Sequence, residues 1–367
     1  MTNPKSSSTS SVASPATKHK MPVKRRLILM VLALVMLLLP AIVMVLVAWI
    51  GTGKVQGAAT WASIPALVGT AAVLSGGRRF GIIVAIVMAF LAPVAIVAGS
   101  SPVAGAALMA ILCMTVGRLS RVGLQKSGLL VPVMLSWPLI DPPAWNGAAT
   151  VDRLDTSYLL WMTAIFFVGA IIPVILIPLL MRKRKAPTLG THTQSEAVTY
   201  TIIITTLITI ATFYVLDNPK LIGGGFLIAV ILVMAPIGAV DTIKPTIFRI
   251  LGTVVGSVLV VLMVSKVDSL GLIYLIGLIL ILIAVYARLS GLAWVYYVFM
   301  VPATASLNST SLTQVGELGK QRVIDNVVGG ILVIIATVIV IAFSSWSNRH
   351  HHVVDADPEV EAVAATA

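Results

Sequence analysis

The stretch LILMVLALVMLLLPAIVMVLVAWI, residues 27–50, holds no charged side chain across its 24 positions. A helix rises about 1.5 Å per residue, so such a run reaches across a hydrocarbon core of about 30 Å. Signal peptides have apolar cores of about 7–15 residues, and we therefore expect this run to stay as a first membrane helix. Residues 1–26, Ser-rich and ending in Lys24, Arg25 and Arg26, are predicted to form a disordered basic cytoplasmic tail.

The rest of the chain repeats this pattern. Of its 367 residues 58% are hydrophobic and 10% are charged, whereas soluble domains carry about a quarter charged residues. The sequence therefore predicts an all-α integral membrane protein with about twelve transmembrane helices, in contact with the lipid bilayer. The further apolar segments are 58–75, 80–99, 102–118, 124–140, 157–181, 197–216, 222–240, 249–265, 270–287, 290–307 and 323–346.

The basic residues predict the orientation. With a cytoplasmic N-terminus, 19 of the 25 Lys and Arg residues fall on the cytoplasmic side and 6 on the other. This asymmetry follows the positive-inside rule and predicts a multi-pass protein of the cell membrane, the inner or plasma membrane, with both termini cytoplasmic. The net charge of +12 is spread over short clusters between apolar runs, which argues against a nucleic-acid partner.

An internal repeat appears at a fixed offset of about 170 residues. Pairs of polar residues and prolines match at this offset without a gap: Arg79 with Arg249, Arg118-Leu119-Ser120 with Arg288-Leu289-Ser290, Pro132 with Pro302, and Asp155 with Asp325. We expect two parallel six-helix repeats, at 27–181 and 197–346. A basic cytoplasmic linker at 182–196 joins them, and residues 347–367 form a cytoplasmic tail.

Catalytic signatures are missing from the sequence. It contains no phosphate-binding G-x-x-x-x-G-K-[ST] loop, no H-E-x-x-H motif and no G-x-S-x-G motif. Cys113 is the single cysteine and lies within an apolar run, so a thiolate metal site is not expected. We predict a protein that is not an enzyme and has no catalytic residue, cofactor or metal.

Ionisable groups inside apolar segments are costly and usually functional. The motif Arg249-Ile-Leu-Gly252-Thr253-Val-Val-Gly256 combines a guanidinium with a glycine face that lets another helix approach closely. Arg79, Arg249 and Thr253 are therefore the candidate substrate-binding residues, for a carboxylate. The alternative is that both arginines are positive-inside anchors.

Two acidic residues and two prolines complete the candidates. Asp155 and Asp325 lie where helices are expected to begin, so each either caps a helix or carries a proton in a transport cycle. Pro132 and Pro302 lie at matching mid-helix positions, and each frees a backbone carbonyl. We assign Pro132, Pro302, Gly252 and Gly256 to helix packing and gating. Tyr296 and Tyr297 are interpreted as aromatic residues of the membrane interface, with stacking on an aromatic substrate as the alternative.

Two motifs make the chain resemble the fusaric acid resistance protein-like family. The first is Arg249-x-x-Gly252-Thr253-x-x-Gly256, and the second, about seventy residues later, is Arg322-x-x-Asp325-Asn326-x-x-Gly329. That family is related to aromatic acid exporters and aluminium-activated malate transporters. The resemblance covers about residues 28–346. It implies a proton-coupled secondary exporter of organic, including aromatic, carboxylic acids, with small organic anions and protons as partners, and makes a homodimer plausible.

Three other functions remain open from the sequence. One is a passive organic-anion channel. Another is a major-facilitator-type carrier, because the sequence from Gly76 to Gly81 is similar to a loop of that superfamily, although the expected acidic residue is missing. The third is a membrane scaffold or assembly protein without transport activity.

Overall fold

The computed structural model of the protein consists of helices joined by short connections. It describes residues 23–51, 58–145, 151–180, 193–218, 224–235, 243–307, 309 and 311–354. The predicted tail at 1–26 and linker at 182–196 fall largely outside these residues, as does the end of the tail at 347–367. Within them the all-α prediction is confirmed.

The helices have the following bounds: α1 Val23–Gly51, α2 Ala58–Ala98, α3 Pro102–Ser120, α4 Gln125–Gly128, α5 Leu130–Ile140, α6 Thr156–Leu180, α7 Gln194–Asp217, α8 Gly224–Met234, α9 Ile243–Lys266, α10 Leu270–Leu289, α11 Ala293–Leu307 and α12 Leu312–Val354. Seven of them, α2, α3, α6, α7, α9, α10 and α12, are long and apolar enough to cross a membrane. Shorter apolar helices lie within α1, α5, α8 and α11. The number of crossings and the two-repeat arrangement stay predictions.

The long helix α2 reverses its direction at Gly77. Gly77 has φ 78° and ψ −177°, a conformation that a residue with a side chain rarely adopts. Ala62 contacts Gly169 of α6, and Ala98 lies in a groove with Leu159 of the same helix. A straight helix would separate Ala62 from Ala98 by about 54 Å, whereas Leu159 and Gly169 are about 15 Å apart. The predicted segments 58–75 and 80–99 are therefore two arms of one hairpin.

Glycines set how closely the arms of α2 pack against α6. A Cβ at Gly69 would lie 2.2 Å from the carbonyl oxygen of Ala170, and one at Gly169 would lie 2.2 Å from that of Ala62. In the second half α12 packs in a similar way between α8 and α9. Gly329 contacts Val230 of α8. The last helix is therefore held between two neighbours over much of its length.

The connection before α6 is fixed by Arg153. Its guanidinium donates hydrogen bonds to the carbonyl oxygens of Ile96, Leu139 and Ile140 at 2.7–3.1 Å. These carbonyls lie in the last turns of α2 and α5, where the carbonyl groups have no N–H partner within the helix. Partial burial lowers the pKa of Arg153. Arg153 was counted among the loop charges, and its structural role is to join two helix ends.

Helices α9 and α11 cross at the predicted glycine face. A Cβ at Gly252 would lie 2.8 Å from the Trp294 carbonyl oxygen, and one at Gly256 would lie 2.6 Å from the Val298 carbonyl oxygen. Pro302 has no N–H, so it leaves the Val298 carbonyl without its helical donor. Gly256 thus lies against the very carbonyl that Pro302 frees, and a side chain at position 256 would collide with it.

Two sequence-based positions need correction. Helix α12 begins at Leu312, with the Ser311 hydroxyl accepting a hydrogen bond from the Gln314 N–H at 3.2 Å, so Asp325 does not cap this helix. Pro132 was expected in mid-helix but lies in the first turn of α5, after the short helix α4. A proline costs little there, because first-turn N–H groups have no helical partner. Pro302 lies inside α11 as expected.

We predict that Gly256→Ala destabilises the packing of α9 on α11. The new methyl group must displace backbone, an overpacking that costs about 1–3 kcal/mol. Thermal unfolding of the purified protein in detergent should show a lower Tm. Gly316→Ala is the matched control, because nothing lies within 4 Å of its Cβ position in α12. An equal loss of stability in both variants would contradict the proposed close crossing.

Candidate anion-binding site

Arg322 lies inside α12 and its side chain is only 6% exposed. Its guanidinium carbon lies 3.5 Å from the centre of the Phe226 ring of α8, a cation–π contact. Two of its nitrogen atoms, Nε and Nη1, are buried and have no hydrogen-bond partner among the described residues. A buried guanidinium with free N–H groups is expensive, and this one lies within a candidate membrane span, 312–339.

Asp325 lies three residues further along the same helix and is 3% exposed. Its Oδ1 accepts a hydrogen bond of 2.9 Å from the Gln321 side-chain amide. Its other oxygen, Oδ2, has no partner in the part of the chain that the structure describes. Arg322 and Asp325 therefore each keep unused hydrogen-bonding capacity, although they are close in sequence and opposite in charge.

Asn326 connects this helix to α9. The Arg249 Nε donates to the Asn326 Oδ1 at 2.9 Å, and the Asn326 Nδ2 donates to the Arg322 backbone carbonyl at 2.7 Å. The hydroxyl of Thr253, which is buried, donates to the Arg249 carbonyl at 2.8 Å. The two arginines are thus brought to one region by a single asparagine. We call Arg249, Arg322, Asp325 and Asn326 the charged cluster.

The charged cluster carries one excess positive charge. The cluster contains two guanidinium groups and one carboxylate, and helices α8, α9, α10 and α11 contain no Asp or Glu within their bounds. Burial of a charge away from water costs several kcal/mol unless a counter-charge compensates it. A small monoanion would therefore complete the charge balance and supply acceptors for the free N–H groups of Arg322.

The two contacts between α9 and α12 define the depth of the cluster. Arg249 meets Asn326, and eight residues later the Ser257 hydroxyl donates to the Gly319 carbonyl at 2.9 Å. The helices are therefore antiparallel, and Arg322 lies between these levels. Beyond Gly319 lies a cluster of buried apolar side chains from α9, α10, α11 and α12: Val260, Ile273, Val301, Ala305 and Val315. The charged cluster is closed by apolar side chains on that side.

The structure does not bring the first-half candidates to this cluster. Arg79 is exposed next to the reversal at Gly77. Asp155 precedes α6, and its Oδ1 accepts a 2.8 Å hydrogen bond from the Ser157 N–H, which is helix capping. The residues paired by the 170-residue offset therefore occupy different environments. Arg249, Thr253 and Asp325 do lie together.

Sequence reasoning missed Arg322, Asn326 and Phe226 as site residues. Arg322 was assigned to a loop because the last helix was expected to begin near residue 323, and α12 begins at Leu312 instead. The polar residues of 312–322 hid the helix from hydropathy. A signal was present, because Arg322, Asp325 and Asn326 follow helical spacing, which puts charged residues on one helix face.

These residues lie in the part of the chain that has recognisable relatives. Residues 206–336 match a family of fusaric acid resistance protein-like sequences. The predicted resemblance is confirmed over these residues. No curated protein and no solved structure matches the chain.

The family match covers the second half of α7, all of α8 to α11, and α12 as far as residue 336. The whole charged cluster and Phe226 lie inside it, whereas Arg79, Pro132 and Asp155 lie outside. A match to this family implies a membrane transport protein of the efflux type. The matched region thus contains the unpaired polar atoms of Arg322 and Asp325.

We predict that the double variant Arg322→Met, Asp325→Val raises the thermal stability of the protein. Replacing a whole buried ionic group by apolar residues of similar volume is neutral or stabilises by about 1–4 kcal/mol, whereas removing one partner alone leaves an uncompensated buried charge. The Tm in detergent should increase. Arg121→Met is the control, since the exposed Arg121 bonds Gln194 at the surface. A lower Tm for the double variant would mean that the two charged groups are fully compensated in the free protein.

Proposed function

We propose that the protein is a secondary transporter that exports organic carboxylates, with protons as the coupling ion. In this proposal the carboxylate binds the Arg322 guanidinium, and Arg249 and Thr253 complete the site on the α9 side. Asp325 carries the proton. The observation behind the proposal is the pair of buried guanidinium nitrogens without a partner, Nε and Nη1 of Arg322.

The chemistry of the cluster favours a carboxylate. A guanidinium offers planar, charge-assisted hydrogen bonds that match carboxylate geometry better than an ammonium does. Phe226 covers the guanidinium face and adds an apolar ring beside the charge. A substrate with a carboxylate and an apolar or aromatic body would satisfy both surfaces.

Proton coupling follows from charge balance. With Asp325 ionised, a bound monoanion neutralises the cluster; with Asp325 protonated, the cluster holds two positive charges against the anion. Binding of the anion and of the proton are therefore linked, because protonation of Asp325 strengthens the positive field at the site. The anion and the proton then leave together, so export is driven by the outward gradient of the acid itself. The groups that act on the Asp325 carboxylate are Gln321, which donates a hydrogen bond to it, and Arg322, its charged neighbour on the same helix.

A carrier fits better than an open channel. The buried apolar side chains of Val260, Ile273, Val301, Ala305 and Val315 lie beyond Gly319, on the side of the charged cluster away from Arg249. An anion that leaves on that side requires these helices to separate. The close glycine crossing of α9 and α11 provides surfaces that can rock against each other without large side chains interlocking.

The test is transport by the full chain in lipid vesicles. Labelled benzoate, hexanoate and phthalate are offered with and without a pH gradient, and empty vesicles correct for passive leakage. Arg322→Gln should reduce transport about tenfold to a hundredfold, since a hydrogen bond to a charged group contributes about 1.5–3 kcal/mol. Asp325→Asn should keep carboxylate exchange but lose accumulation driven by the pH gradient.

Arg79→Gln is the matched control, because Arg79 is exposed and distant along the chain from the charged cluster. Its transport should equal that of the wild type. Wild-type vesicles that transport none of the three acids would contradict the proposal. So would an Arg322→Gln variant with normal transport, or an Asp325→Asn variant that still accumulates substrate against its gradient.

A further inference from the structure

A row of two arginine and two tyrosine side chains leads from the charged cluster to the surface. The Arg249 guanidinium carbon lies 5.4 Å from the centre of the Tyr297 ring, and the Arg288 guanidinium carbon lies 5.7 Å from that of Tyr296. The two tyrosine rings contact each other edge to face, with centres 5.1 Å apart. We call these four residues, Arg288, Tyr296, Tyr297 and Arg249, the cation–aromatic row.

The row is ordered by exposure. Arg288 is exposed in the last turn of α10, the two tyrosines and Arg249 are partly buried, and Asn326 is 2% exposed. The Asn326 side-chain amide donates to the backbone carbonyl of Arg322, one turn away in α12. The row thus runs from the exposed end of α10 to the turn of α12 that carries Arg322.

The positions on the helices give the row a direction. Arg249 lies in the first third of α9, Tyr296 in the first turn of α11 and Arg288 at the end of α10. The apolar cluster lies towards the opposite ends of α9 and α11, with Val260 and Ala305 among its members. One end of this helix group is therefore lined by cations and phenol rings, and the other is closed by aliphatic side chains.

We infer that the cation–aromatic row is the entry route by which the anionic substrate reaches Arg322. This inference rests on the proposed function and adds the path and the residues that select for negative charge. Arg288 attracts the anion at the mouth, and the tyrosine rings offer an apolar surface and hydroxyl groups between the two guanidinium groups. The mouth lies at the ends of α9 and α10 that the positive-inside rule assigns to the cytoplasm, the side from which an exporter loads.

The row also explains why two tyrosines follow each other here. A membrane-interface function would require only that each ring lie at headgroup depth. Instead each ring has its own guanidinium partner, and Arg249 is shared between Tyr297 and Asn326. An arriving carboxylate can replace a ring as the partner of a guanidinium, because an ion pair in a dry site is stronger than a cation–π contact.

A charge-swap experiment at Arg288 tests the route. The one natural cysteine, Cys113, is buried, so the wild type should be insensitive to thiol reagents. Arg288→Cys should raise the KM for benzoate in vesicles about fivefold to tenfold and leave kcat close to that of the wild type. Modification with a trimethylammonium-ethyl methanethiosulfonate should restore the KM, whereas a sulfonato-ethyl methanethiosulfonate should raise it further.

Arg118→Cys is the matched control. Arg118 is exposed at the end of α3, in the same Arg-Leu-Ser sequence that contains Arg288. Neither reagent should change the KM of this variant. The effect at position 288 should also fade at high salt, because exposed charges are screened beyond about 10 Å at 0.1 M ionic strength.

Tyr297→Leu gives a second variant further along the route, with circular dichroism and Tm as checks of folding. It should raise the KM for benzoate more than the KM for hexanoate. The inference is overturned if Arg288→Cys keeps the wild-type KM, if both reagents act alike, or if Arg118→Cys responds in the same way. Those outcomes leave Arg322-dependent transport intact, whereas a wild type that does not transport benzoate, or an Arg322→Gln variant with normal transport, would remove the proposed function itself.

Discussion

The structure depends on one buried guanidinium whose hydrogen bonds its own helix does not complete. Arg322 lies within a span that is long and apolar enough for the membrane interior, yet two of its nitrogens have no partner among the described residues. Asp325 is close along the helix but bonds Gln321 instead. Such an arrangement costs free energy in the empty protein, and that cost becomes binding energy when an anion supplies the missing charge and acceptors.

The surrounding helices exclude water from this guanidinium and hold it in position. Gly252 and Gly256 allow α9 to approach α11, and Pro302 frees the carbonyl that Gly256 meets. This approach holds Arg249 where its Nε reaches Asn326 of α12. Phe226 closes the site from α8. Larger residues at either glycine would separate the helices and admit water or lipid to the charged cluster, so packing and electrostatics depend on the same crossing.

The sequence was sufficient for some of this arrangement and misleading for the rest. Hydropathy predicts the helical class, because apolar runs of membrane length have few alternatives. The glycine motif predicts that another helix approaches α9 closely, and the structure shows that α11 does so. Arg249, Thr253 and Asp325 do come together. Hydropathy could not find the start of α12, because residues 312–322 are polar and yet helical. The 170-residue offset pairs residues by sequence alone, so it could not foresee that Asp155 caps a helix while Asp325 is buried within one.

The most direct test of the central claim is a structure of the protein with 4-bromobenzoate. The bromine gives an anomalous signal that locates the ligand independently of the protein. We expect the carboxylate within hydrogen-bond distance of the Arg322 guanidinium, with the bromine signal beside Phe226. An ion pair between Arg322 and Asp325 with no bromine signal between α8, α9 and α12 would contradict the account, because the guanidinium would then be neutralised by the protein itself.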